Sequence, residues 1–250
     1  MSVDNFLVLD SVYGKFIVDR HCAFQAEALV KTGRTHIEGE LSNIFVIVDR
    51  LPDNAVIIDG GTNIGFFTIP VAQRTRKRNI KIIGFEPQRQ MFQALGGSLV
   101  LNGYDHVFLH NCGLGSEPGK AQLPPIDYSA PQDFGTVQIS EVSNLKEEAW
   151  MRDRLVDVTS IDSMNLPRLD FLKLDVEGYE VPALIGGLHT IALHRPWMWI
   201  EYFISGHAPI TSTLAPIKDY SYFIADYQNM LCIPNEHLAS VSVAGLTQVG

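Results

Sequence analysis

The sequence predicts an α/β fold: a Rossmann-like, doubly wound, mostly parallel sheet of seven strands with an N-terminal flap. Three observations lead there. Five short apolar runs, Val56–Asp59, Lys81–Pro87, Val107–His110, Asp170–Asp175 and Met198–Glu201, have the length and composition of buried strands. Helix-like segments follow the first, second and fourth of them, and such alternation marks a parallel sheet covered on both faces. The first run ends in Asp59, Gly60 and Gly61, a turn composition suited to the strand edge where open α/β sheets bind ligands.

In chain order, Phe6–Leu9 and Phe16–Val18 flank Gly14 and predict a hairpin. Ala23–Lys31 reads as a helix ending near Gly33. Leu41–Leu51 reads as a second, apolar helix stopped by Pro52. Residues 1–53 thus form a flap packed on a core domain of residues 54–250. Within that core, a helix over roughly Phe66–Gln73 follows the first strand. The third and fourth runs are joined by a long insertion loop, residues 115–155, and a loop of that length in a compact domain is usually functional. Tyr222–Ile224 and Met230–Ile233 read as an antiparallel pair that closes the sheet.

Composition narrows the function. A net charge of −9 removes bulk attraction to nucleic acid. The basic run Arg74, Arg76, Lys77 and Arg78 suits a helix C-terminus instead. Cys22, Cys112 and Cys232 lack metal-ligand spacing and read as free thiols in a reducing compartment. His106 and His110 read as structural. No apolar run reaches the length of a membrane span, so the chain reads as soluble and cytoplasmic. Oligomeric state is not readable.

The segment Asp59-Gly60-Gly61-Thr62-Asn63-Ile64-Gly65 sits between a strand and a helix. Its glycines permit a tight turn and close backbone approach. A helix N-terminus pointing into the turn would favour a carboxylate, and Asp59 could face an ammonium. Glu86, ending the second run, could accept both hydroxyls of a ribose. The dinucleotide spacing Gly-x-Gly-x-x-Gly fails at Thr62 or at Asn63. An acid at Asp59 would also sit badly against a pyrophosphate. S-adenosylmethionine, a sulfonium with an ammonium and a carboxylate, suits the turn better than NAD.

These residues carry a family resemblance. The chain resembles the FkbM-type methyltransferases over roughly Gly14 to Pro234. The marks are Ile58 to Gly65, Phe85-Glu86-Pro87-Gln88 with Phe92 and Leu95, Leu101-Asn102-Gly103, and Lys173-Leu174-Asp175-Val176-Glu177-Gly178-Tyr179-Glu180. Gly39-Glu40, Arg195-Pro196, Glu201 and Leu231 to Pro234 also fit. Family members often carry alanine where Thr62 stands, and Asn-Phe-Gly where Asp133-Phe134-Gly135 stands. The resemblance implies the class I methyltransferase fold, S-adenosylmethionine as cofactor, and O-methylation. It also raises Glu177 to a site candidate. Expected cofactor contacts are Glu40, Asp59, Gly60, Gly61, Asn63, Gly65, Glu86, Pro87, Asn111, Cys112 and Asp175.

Methyl transfer needs an aligned nucleophile, and a hydroxyl nucleophile must lose a proton. Asp175 and Glu201 end adjacent strands. One accepts the proton and the other orients the acceptor, in either order. Lys173, two residues before Asp175, shares its strand face and could keep an acid ionised or form a structural ion pair. Glu177 and Glu180 read as acids of the next helix's first turn. His207 is an alternative base. A divalent metal held by Asp175 and Glu201 is possible but not expected. The expected acceptor is a hydroxyl on a sugar, glycolipid, polyketide or similar molecule. The alternatives are an NAD-dependent oxidoreductase and a catalytically silent protein that binds S-adenosylmethionine.

Overall fold

The computed structural model describes residues 5–141 and 154–250. The chain begins with the antiparallel hairpin β1 (Phe6–Ser11) and β2 (Gly14–Asp19), then α1 (Ala23–Thr32) and α2 (Glu38–Val48). The core follows as β3 (Val56–Gly60), α3 (Thr68–Thr75), β4 (Lys81–Phe85), α4 (Arg89–Asn102) and β5 (Val107–His110). Short strands β6 (Gly113–Leu114), β7 (Gly119–Gln122), β8 (Ser140–Glu141) and β9 (Leu155–Thr159) come next. The chain continues with β10 (Phe171–Leu174), α5 (Glu180–Ile185), α6 (Leu188–His194), β11 (Trp197–Glu201) and α7 (His207–Leu214). Strands β12 (Tyr220–Ile224), β13 (Asn229–Pro234) and β14 (Thr247–Val249) end it.

The main sheet has eight strands in the order β14-β12-β13-β11-β10-β3-β4-β5. Strands β5, β4, β3, β10 and β11 run parallel, and β13, β12 and β14 are antiparallel. The eighth strand corrects the expected seven: Thr247–Val249 pairs with the otherwise open edge of β12. Three residues without apolar alternation give no strand signal in sequence. Strand order reverses between β3 and β10, which opens a crevice at their C-terminal ends. Strand β3 is buried throughout. Ile57 faces one hydrophobic cluster and Ile58 the other, which is why the run is continuously apolar.

Other boundaries also differ from expectation. Helix α2 begins three residues before Leu41 and ends at Val48, so Pro52 is not what stops it. Helix α3 begins at Thr68 rather than Phe66, because the glycine turn uses the residues before it. The 115–155 segment is not a bare loop in its described part. It carries β7, β8 and a short 3-10 helix, Phe134–Thr136. These strands join a small second sheet ordered β6-β9-β7-β8; residues 142–153 lie outside the described ones. Among the described residues, no helix is long and apolar enough to cross a membrane.

The N-terminal hairpin is tied to the core by a helix face. Ser98 and Asn102, one turn apart on α4, meet the outer edge of β2. Lys15 N donates to Asn102 Oδ1 at 2.8 Å, and Asn102 Nδ2 donates to Lys15 O at 2.8 Å. Ile17 N donates to Ser98 Oγ at 2.8 Å. Tyr104 adds a bond from its hydroxyl to Tyr13 O at 2.7 Å. Side chains thus do for β2 what a neighbouring strand would do. Replacing Asn102 with Ala strands both backbone groups of Lys15. It is expected to lower stability by about 1–3 kcal/mol in urea unfolding and to speed proteolysis within residues 5–50; unchanged values in both would refute the tie.

Candidate active site

The turn after β3 is pressed against the tip of β10. Gly61 has φ +79°, and a Cβ there would lie 1.8 Å from the backbone oxygen of Asp175, so no side chain fits. Asp175 N in turn donates to Gly60 O at 3.1 Å. Asn63 is also left-handed, with φ +50°. The turn's amides are engaged internally. Gly61 N and Thr62 N both donate to Phe85 O at 3.0 Å. Asn63 N donates to Glu86 Oε2 at 2.7 Å, and Ile64 N to Asn63 Oδ1 at 2.8 Å. With α3 starting at Thr68, these four amides belong to the turn and are not a free anion cradle.

A cleft of about 660 Å³ opens beside this turn. It is bordered by Glu40, Gly61, Asn63, Glu86, Pro87, Lys173, Asp175, Glu177 and Glu201. The other expected contacts stand back from it. Asp59 is 0% exposed. Gly60 faces Leu174 and Leu114, and Gly65 faces Leu95 and Ile69. Asn111 Nδ2 donates to Glu86 O at 2.8 Å and so braces the end of β4. Cys112 is half-buried among apolar residues, and burial pushes its thiol up to about 11. Glu177 is not in a helix: its φ is +53°, and α5 starts only at Glu180. Glu180 turns back to accept Val176 N at 3.2 Å and Gly178 N at 3.0 Å. His207 begins α7 and packs on Tyr202 instead of bordering the cleft.

Charge in the cleft is lopsided. Lys173, 4% exposed, has its Nζ 3.2 Å from Asp175 Oδ2 and 3.5 Å from Asp59 Oδ1. Burial opposes its charge, but Asp175, Asp59 and Glu40 outweigh that and raise its pKa. The carboxyl oxygens of Asp175, Glu177 and Glu201 lie within 4.8 Å of one another, close enough to share one cation. Burial first, and Asp175 second, push Glu201 up to about 9 and Glu177 up to about 8. Burial pushes Glu40 to about 7 against the pull of Lys173. Glu86 also rises to about 7 by burial, although Gln88 N and Asn63 N both donate to it. The arrangement suits a cationic ligand and gives several protonated carboxyls at neutral pH.

The family described as the Methyltransferase FkbM domain matches residues 59–223. The chain belongs to the FkbM methyltransferases. A relative named Methyltransferase 1, from Beauveria bassiana, is 30% identical over 173 residues, covering 60% of this chain and 68% of that protein. Methyltransferase sdnD from Sordaria araneosa is 28% identical over 166 residues, covering 56% and 62%. The solved methyltransferase FkbM from Methylobacillus flagellatus shares the fold with a TM-score of 0.53 at 21% identity. That match covers 73% of this chain but 44% of that one.

This FkbM methyltransferase also brings residues to the cleft that sequence reasoning passed over. Asp226 reaches it from the β12–β13 turn, where its Oδ1 accepts Gln228 N and Asn229 N. The Asp-x-x-Asn turn was visible, but its place depends on β13 lying beside β11. Phe24, His36 and Phe66 form an aromatic ladder at the mouth, with centroids 4.9 and 4.6 Å apart. No motif marks it. Gln88 Nε2 donates to Phe134 O at 2.8 Å, which seats the Asp133–Thr136 segment over β4.

The raised acids make stability depend on pH with a definite sign. The folded chain keeps protons on Glu201 and Glu177 that an unfolded chain releases above about pH 4.5. Their stabilisation is complete below that pH and is lost as pH rises toward about 9. A Glu201→Gln variant cannot release that proton. Its melting temperature relative to the unaltered chain is expected to climb between pH 5 and pH 9, in differential scanning calorimetry. A constant difference across that range would refute the raised acid.

Proposed function

We propose that this methyltransferase uses S-adenosylmethionine and methylates a hydroxyl oxygen of a small sugar-, glycolipid- or polyketide-like acceptor. The observation that carries this reading is the convergence of Asp175, Glu177 and Glu201 on the cleft that also exposes the Gly61–Asn63 turn and Glu86. When bound, the cofactor supplies a methyl group on a cationic sulfur. The residues present fit such a group. Glu86 sits at the tip of β4 with accepting oxygens for hydroxyls, and the acid-rich wall with Glu40 suits a net positive charge. Family membership supports the same donor.

The chain's own groups then divide the work. Asp175 is the base: Lys173 donates to its Oδ2, leaving the other carboxylate oxygen for the acceptor's hydroxyl proton. Glu201, held protonated by its surroundings, donates a hydrogen bond that orients the acceptor. Lys173 supplies the positive charge beside Asp175. The aromatic ladder at the mouth supports an acceptor with an apolar face.

The donor is tested by thermal shift with S-adenosylhomocysteine and with NAD. A shift with the first alone is expected; a shift with NAD alone would overturn the reading. Turnover is tested with tritium-labelled S-adenosylmethionine against a panel of glycosides, hydroxylated lactones and amines. Asp175→Ala is expected to cut transfer by about 10²–10⁴-fold while S-adenosylhomocysteine affinity stays within a few-fold. Transfer to amines only, or an active Asp175→Ala variant, would remove the hydroxyl mechanism.

A further inference from the structure

We infer that Asp59 is a positioning residue, which acts on the base Asp175 through the ammonium of Lys173 and makes no contact with the methyl donor. This rests on the reading of Asp175 as the base. It replaces the role the sequence suggests for Asp59, that of a partner for the donor's amino group.

The register places the groups. Strands β3 and β10 are parallel neighbours with Asp59 and Lys173 as direct partners. Their side chains therefore rise on one face, and Asp175, two residues on, follows on the same face. Asp59 is wholly buried, behind the turn and away from the cleft. Its Oδ2 accepts the hydroxyl of Thr68 at 2.5 Å. Its Oδ1 has no hydrogen-bond donor among the described residues and faces the Lys173 ammonium at 3.5 Å. The ammonium stands closer to Asp175, at 3.2 Å, with the Phe67 ring 5.7 Å from it. One cation is thus held between a carboxylate that no ligand reaches and one that borders the cleft.

The surroundings give this cation its importance. Among the described residues, the charged or titratable groups that face Asp175 are Lys173 on its own strand, Asp59 on β3, Glu86 after β4, Glu177 in the following turn, Glu201 on β11, Glu40 on α2 and His36 before α2. Among these, Lys173 is the only lysine or arginine. An ammonium with 4% exposure needs compensation to remain charged. Asp59 supplies part of it from a position that substrate binding does not disturb. Backbone contacts add to the hold, since Asp175 N bonds Gly60 O and Gly61 lies against Asp175 O.

The test compares the unaltered chain with Asp59→Asn by two readouts that need no acceptor. The first is S-adenosylhomocysteine affinity by calorimetry. The second is the Nζ signal of Lys173 at pH 7, its chemical shift and hydrogen exchange read in a protein labelled with ¹⁵N-lysine and assigned with Lys173→Arg. The expected result is an affinity within about threefold, because Asp59 does not border the cleft, and a displaced Lys173 signal with faster hydrogen exchange, because a charge partner is gone. Affinity weakened by about tenfold or more would make Asp59 a donor ligand and overturn the inference. An unmoved Lys173 signal would make it merely structural and overturn it equally. If Asp59→Asn does not fold, Thr68→Val removes the hydroxyl that holds Asp59 Oδ2 without touching a residue that borders the cleft. That variant should displace the Lys173 signal and keep the affinity within about threefold, and about tenfold weaker binding or an unmoved signal overturns the inference there too. If the unaltered chain itself fails to bind S-adenosylhomocysteine, the donor reading falls while the Lys173 signal still judges the relay.

Discussion

A lysine ammonium buried between two carboxylates organises the centre of this molecule. Charge inside a protein is costly unless it is matched closely. The match here comes from strand register: Asp59 and Lys173 are partners across β3 and β10, and Asp175 follows on the same face. The interaction joins the segment that turns at Gly61 to the segment that ends in the acid-rich signature. The contact of Gly61 with the Asp175 carbonyl is its backbone counterpart. Both hold the glycine turn and Asp175 at one distance, so the cleft is shaped by the same contacts that charge it.

The acids around the cleft form a store of protons and not a field of fixed negative charge. Burial and mutual repulsion keep Glu40, Glu86, Glu177 and Glu201 well above the usual carboxylate range. A neutral carboxyl donates a hydrogen bond as well as accepting one. A positively charged ligand among them would favour ionisation. Binding and proton release are therefore linked in this cleft.

Much of this was legible in the chain. Three of the parallel strands, β3, β10 and β11, announce themselves because both faces are covered, which leaves unbroken apolar runs such as Val56-Ile57-Ile58. Acids at strand tips were equally readable, since an acid that ends a buried run must lie at the sheet edge; Glu86, Asp175 and Glu201 follow that logic. Asp59 did not, because whether an acid at a strand end faces outward or inward depends on its neighbours, here Thr68 and Lys173. The strands of the small sheet escaped notice because they are two to five residues long and β7 buries little but Ala121. Asp226 and His36 reach the cleft only through tertiary placement. Glu177 reads as helical in the sequence because nothing there marks its left-handed backbone.

The seal between α4 and β2 bears on how the chain reaches this state during synthesis. Lys15 and Asn102 are 87 residues apart. At translation rates of about 5–20 residues per second, the hairpin emerges roughly 4–17 seconds before its partner helix exists. Throughout that interval one edge of β2 lacks the groups that will cover it, and an uncovered edge invites pairing with other strands. A chaperone at the ribosome exit would cover that edge during the interval.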